Sequence, residues 1–156
     1  MARYDLERFR DDIIKIVQDN MPAKVAQINA EKADGDDIEA PDNSLYIFDI
    51  MDAVLNAYPF IYYGFDNVVT DGTVGQTKTT VTLFISVVFD NANNTSVINQ
   101  ALRYTRALKE IIEEHQSDIA QISVNQVSQF APDDFQLNNG ANYKIGGILI
   151  EGTMIG

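Results

Sequence analysis

The chain contains no cysteine and a single histidine, His115. A disulfide scaffold and a thiolate zinc site are thereby excluded. His115 falls at the end of a predicted helix, where the dipole favours a cation, so it reads as a structural residue. Long apolar runs are missing too. None reaches the roughly 18 residues that a membrane-spanning helix requires, and the opening MARYDLERFRDD is too charged for a signal peptide. The chain is therefore expected to be made and kept in a cytoplasm. Positive charge is scarce: eleven Lys and Arg stand against 23 Asp and Glu, for a net charge of −12. Such a surface repels nucleic acid and anionic lipid at long range. It serves solubility, and it equally suits a surface that lies near DNA without holding it.

What is present is ordinary globular material: 156 residues, 46% hydrophobic, read as one domain over 1–156 with a single core. Leu6, Phe9, Ile13, Ile16 and Val17 recur at helical spacing within a helix expected over Tyr4–Ala33. Pro22 cannot donate the helical hydrogen bond, which predicts a kink or break near Asn20–Met21. An acid-rich stretch follows, Glu31–Asn43, read as a solvated and mobile loop. SLYIFDIMDAVLNAYPF suits a helix capped by Ser44 and ended by Pro59. An extended start is the alternative there, and helix is preferred.

FIYYGFD reads as a strand. KTTVTLFISVVFD gives the clearest one, with Val81, Leu83, Ile85, Val87 and Phe89 alternating onto one face. Phe84 and Val88 make the other face only partly wet. NANNTSVINQALRYTRALKEIIEEH predicts a long helix with Ile98, Ala101, Leu102, Thr105, Leu108 and Ile112 on its buried side. Two further strands lie around IAQISVNQVSQF and NYKIGGILIEGTM, joined by a link APDDFQLNNG that ends on an Asn-Gly turn. Gly146 and Gly147 signal a bulge or a close backbone approach. The expectation is an α+β fold, a mainly antiparallel four-stranded sheet with helices packed on one face.

Chemistry-bearing motifs are weak. TDGTVGQTKTTV, Thr70–Val81, has the glycines and the lysine of a phosphate loop, but Thr77 rather than glycine precedes Lys78. A strand rather than a helix follows, so no helix N-terminus would meet a phosphate. It reads instead as a projecting loop between strands, with Asp71, Gly72, Gly75 and Lys78 as candidate contacts to a neighbouring subunit or another assembly partner. Asp34, Asp36, Asp37 and Glu39 lack the alternating ligand order of a calcium loop. Asp49 and Asp52 make a poor site by themselves. Arg103, Arg106 and Lys109 share one side of the second long helix. They are read as exposed charge, with an i,i+4 pair between Lys109 and Glu113, or as a face for an acidic partner. No catalytic, cofactor or metal residues are assigned.

The layout resembles the phage tail terminator proteins, also called tail completion or neck proteins. The likeness lies in LERFRDDIIKIVQDNMPAKVAQINAEKADG, in YPFIYYGFD after a proline, in TVTLFISVVFD running into a helix with ALRYTRAL, and in the closing GGILIEGTMIG. It covers nearly the whole chain, with the acid-rich loop outside the pattern. It implies a structural virion protein of the tail or neck. Such proteins form homo-hexameric rings that cap the tail tube protein, end tail polymerisation and dock to the head connector, and DNA passes through without specific binding. The alternatives are another head–tail joining or tail assembly protein, or an unrelated acidic ligand-binding domain or enzyme.

Overall fold

The computed structural model describes residues 5–48, 59–73, 76–90, 95–119, 123–136 and 142–155. Its elements are helix α1 (Leu6–Lys32), strands β1 (Tyr46–Phe48), β2 (Phe60–Thr73) and β3 (Gln76–Asp90), helix α2 (Thr95–Glu114), and strands β4 (Ser123–Gln136) and β5 (Asn142–Ile155). The strands form one sheet in the order β1-β2-β3-β5-β4. The four long strands pair antiparallel throughout. The short β1 adds a fifth, parallel to β2, with Tyr46 beside Ile61 and Phe48 beside Tyr63. The fold is α+β with a mixed sheet.

Asp5 caps α1 by accepting a hydrogen bond from the Arg8 amide at 2.9 Å, and Ala33 closes it in the left-handed conformation. The expected break at Pro22 is absent; α1 runs through it without interruption. Pro22 sits on the exposed side, where a carbonyl without its helical donor can turn to water instead. Val17, Met21 and Val25 meanwhile hold both halves of the helix in the core.

The residues after Ser44 correct the start of the helix preferred for SLYIFDIMDAVLNAYPF, in favour of the extended alternative. Tyr46–Phe48 are extended and join the sheet edge. Asp49, Asp52 and the rest of 49–58 lie outside the described residues. The β-branched and aromatic start favours a pleated surface, and pairing with β2 outweighs the helical spacing.

The strongest expectation holds. Val81, Leu83, Ile85, Val87 and Phe89 enter one core with both helices and with Ile61, Ile148 and Ile150, so α1 and α2 cover the same face. Each such buried aliphatic contributes about 1.5–3 kcal/mol relative to exposure. On the opposite face Phe84 and Val88 join Phe60, Tyr62, Tyr143 and Ile145 in a second cluster, with the Tyr62 and Phe84 rings 5.3 Å apart.

Two other calls change. APDDFQLNNG is not all link, because β4 continues through Pro132 to Gln136. Pro132 fits there because β4 is an edge strand and the register shifts between Phe130 and Asp133. TDGTVGQTKTTV is not a loop either. The β2–β3 ladder runs out to Thr73 and Gln76, with Asp71 opposite Lys78 and Gly72 opposite Thr77.

Gly147 is the tightest point of the sheet. A Cβ there would lie 2.2 Å from the Ile85 carbonyl oxygen and 2.8 Å from Ser86 Cα. Gly146 is milder, 3.1 Å from Thr105 Oγ1 on α2. Gly147→Ala is expected to lower unfolding stability by about 3 kcal/mol, the upper range for forced overpacking. Gly146→Ala should cost less. Gly72→Ala, whose Cβ would meet only Thr77 Oγ1 at 3.9 Å, should be close to neutral. Urea denaturation of the three variants checks the ranking.

Candidate interaction surfaces

Helix α2 is buried on two sides. Ala101, Thr105, Leu108 and Ile112 were expected inward, and they are. Arg103 and Tyr104 are buried as well, whereas Ile98 and Leu102, expected in the core, are 40% and 48% exposed. The reason is the stretch after α1. The sequence reads it as a solvated loop, and most of it is exposed, but it also lies across α2 and covers the side that carries Arg103 and Tyr104.

Its carboxylates make the attachment. Arg103 Nη1 donates to Asp34 Oδ1 at 2.9 Å and to the Asp36 carbonyl at 2.6 Å, and Nη2 donates to Asp34 Oδ2. Ser96 Oγ and Asn99 Nδ2 donate to the two oxygens of Asp36 at 2.6 and 3.0 Å. The Tyr104 hydroxyl donates to the Glu39 carbonyl at 2.6 Å and accepts from the Glu39 amide. Asn29 brackets Ile38, donating to its carbonyl and accepting from its amide, and Ile38 is buried. The Arg103 guanidinium, with the Asp36 amide, holds the Asp34 carboxyl down at about 2. The hydroxyls of Ser96 and Asn99's amide lower Asp36 in the same way. Burial pushes the Tyr104 hydroxyl up to about 12.

Asp34 and Asp36 are thus occupied by side chains of α2, which accounts for them without a metal. Arg103 is correspondingly withdrawn as a surface candidate. A buried guanidinium requires a paired anion, and the loop supplies it. Sequence reasoning lacked the signal because the pairing joins residues 69 apart.

Arg106 and Lys109 are partly exposed. Arg106 is gripped by Glu31 at 2.7 Å and Glu110 at 2.6 Å, and Lys109 forms the anticipated pair with Glu113 at 2.9 Å. An open hollow of ≈ 410 Å³ lies beside them, lined by Lys32, Asp34, Asn99, Leu102, Arg103 and Arg106. Asp71, Gly72 and Lys78 are all exposed, far along the β2–β3 hairpin; Gly75 lies outside the described residues. The structure therefore separates the described surface candidates into a hairpin group, Asp71, Gly72 and Lys78, and an α2 group, Arg106 and Lys109. His115 Nδ1 lies 3.0 Å from Asp118 Oδ2 just past the end of α2.

The Asp34 clamp has a pH signature. Its folded pKa is depressed, so its contribution is complete above the ordinary aspartate value and disappears as pH falls through about 2. Asp34→Asn is expected to melt below the wild type at pH 7, and the gap should narrow between pH 4 and pH 2. Thermal melts of both proteins across that range check it.

No family model matches the chain, and no curated protein matches it.

Proposed function

We propose that the chain is the subunit of a homo-hexameric ring that caps a phage tail tube. The ring ends tube polymerisation and offers the head connector its docking surface, and DNA passes through its hole unbound. The observation that carries this reading is the order of elements along the chain. An amphipathic helix precedes an aromatic strand entered from Pro59. A long antiparallel hairpin then runs into a second helix and a closing pair of strands. Apart from the acid-rich stretch and the short β1, that order supports the resemblance.

Charge supports it. The described basic side chains Arg10, Lys15, Lys24, Lys109 and Lys144 are each engaged by carboxylates of their own chain, as are Arg103 and Arg106. With 23 Asp and Glu against eleven Lys and Arg, carboxylates remain in excess of these pairs, for a net charge of −12. A wall of that sign repels the phosphate backbone, and neutralising phosphates is what makes protein–DNA contacts hold. A ring hole lined this way lets DNA slide.

Six copies of 17.4 kDa make a closed ring of about 104 kDa, held by head-to-tail contacts. Size exclusion with light scattering is expected to find that mass, and electron microscopy to find rings on the ends of tail tubes. A monomer at every concentration that also leaves tubes uncapped would refute the reading. A gel-shift titration at low ionic strength should show no complex with duplex DNA; a tight one would rule out the sliding hole.

A further inference from the structure

The two outer strands of the sheet are unlike the guarded edges common in soluble proteins. Exposed edges are normally blunted with lysine, proline, bulges or short length, because their free N–H and C=O groups recruit further strands. β4 is one edge, 14 residues long. Its far half is guarded by Pro132, by the register shift beside it, and by Asp133 and Asp134. Its near half is not. After a bulge at Val124/Gln126, the stretch Gln126–Phe130 contains no charge and no proline, and Gln126 and Gln129 are exposed. Uncharged sequence extends from Ile119 to Pro132, in a chain that is 22% charged.

The other edge has a matching opening. β1 pairs only with Ile61–Tyr63 of β2. Beyond the bulge at Phe65/Asn67, no described residue pairs with the outer side of Asn67–Thr73. This stretch carries no lysine and no proline, and its single charge is Asp71 near the far end. It also carries Val68 and Val69, 40% and 45% exposed. With Ile98 and Leu102 on α2, these are the exposed large hydrophobics among the described residues.

We infer that Gln126–Phe130 of one copy pairs with Asn67–Asp71 of the next, so that the sheets of neighbouring subunits join edge to edge. This rests on the ring reading and names its subunit contact. Three features select a second copy as the occupant. The open stretch of β2, seven residues from Asn67 to Thr73, is long enough to take the five of Gln126–Phe130. They lie on opposite edges of one sheet, as a head-to-tail contact requires. Their polarity also fits. β4 runs opposite to β5, β5 opposite to β3 and β3 opposite to β2, so β4 and β2 point in opposite directions within a subunit. When a neighbour related by rotation about the strand direction comes alongside, β4 meets β2 antiparallel, the pairing that short ladders favour. The residue opposed to each strand's own partner sets the faces. Ser128 pairs with Leu149 and Val69 with Thr80, and Leu149 and Thr80 lie with Phe84 and Thr82 on the face away from the helices. Ser128 and Val69 thus share a face, whereas Val68, opposite Val81, points to the helix side.

The chain has no cysteine of its own, so engineered pairs report cleanly. Under mild oxidation the double variant Ser128→Cys/Val69→Cys is expected to give a ladder of disulfide-linked oligomers on a denaturing gel. Ser128→Cys/Val68→Cys should give none. Gln126→Glu/Gln129→Glu adds negative charge opposite Asp71 and should weaken the ring by about tenfold in dissociation constant; Asp71→Lys should restore it. Both glutamines are exposed, and circular dichroism verifies that the subunit fold is kept. Rings that resist the glutamate pair and do not cross-link when Ser128→Cys is combined with Asn67→Cys, Val69→Cys or Asp71→Cys overturn this contact and leave the ring reading standing. A monomer under all conditions, tail tubes included, overturns both.

Discussion

Arg103 cannot be buried by itself, and much of the arrangement follows from that. Its guanidinium lies under the stretch that leaves α1, and its cost of desolvation is met only because Asp34 and the Asp36 carbonyl accept its hydrogens there. Once Asp34 is held, Asp36 reaches Ser96 and Asn99, and Glu39 reaches Tyr104. A stretch with little apolar content is thereby fastened along α2 and delivered to the sheet edge, where Tyr46–Phe48 can pair with β2. Lys24, buried and bonded to Glu114 at 2.7 Å, secures α1 to the other end of α2.

A second constraint acts on the sheet. Gly147 permits β5 to approach the backbone of Ile85 and Ser86 more closely than any side chain would allow, and Gly146 brings α2 onto β5 with Thr105 against it. Thr105 can sit there because its hydroxyl donates to the Ala101 carbonyl at 2.9 Å, leaving no polar group unpaired. The helix layer and the sheet are thus joined by small residues and satisfied hydroxyls as well as by aliphatic packing.

These internal demands occupy most of the described positive charge. With the described basic residues tied largely into clamps and helix pairs, the exterior is left to carboxylates and to a few uncharged strips. The strips then stand out. On a surface that otherwise repels its own copies, the uncharged edge of β4 and the two valines of β2 are the places where close approach costs least. A largely acidic exterior broken by these strips fits the proposed side-by-side contact between copies.

The sequence by itself determined the elements whose signal is local. The period-two run from Val81 to Phe89 declares a strand with one buried face, because pleating sends alternate side chains to opposite sides. The 3.6-residue spacing from Phe9 to Ile28 declares a helix, and the Gly146-Gly147 pair a close approach. The Lys109–Glu113 bridge is equally local. Only the tertiary structure decided what depends on distant partners. Tyr46–Phe48 became a strand because β2 offered hydrogen bonds. The acid-rich stretch is laid along α2 because Arg103, 69 residues from Asp34, needed an anion. Ile98 and Leu102 lost their place in the core because α2 turned another side toward the loop. The apparent phosphate loop became the outer part of a ladder, because a hairpin continues for as long as its two strands go on satisfying each other's backbone groups.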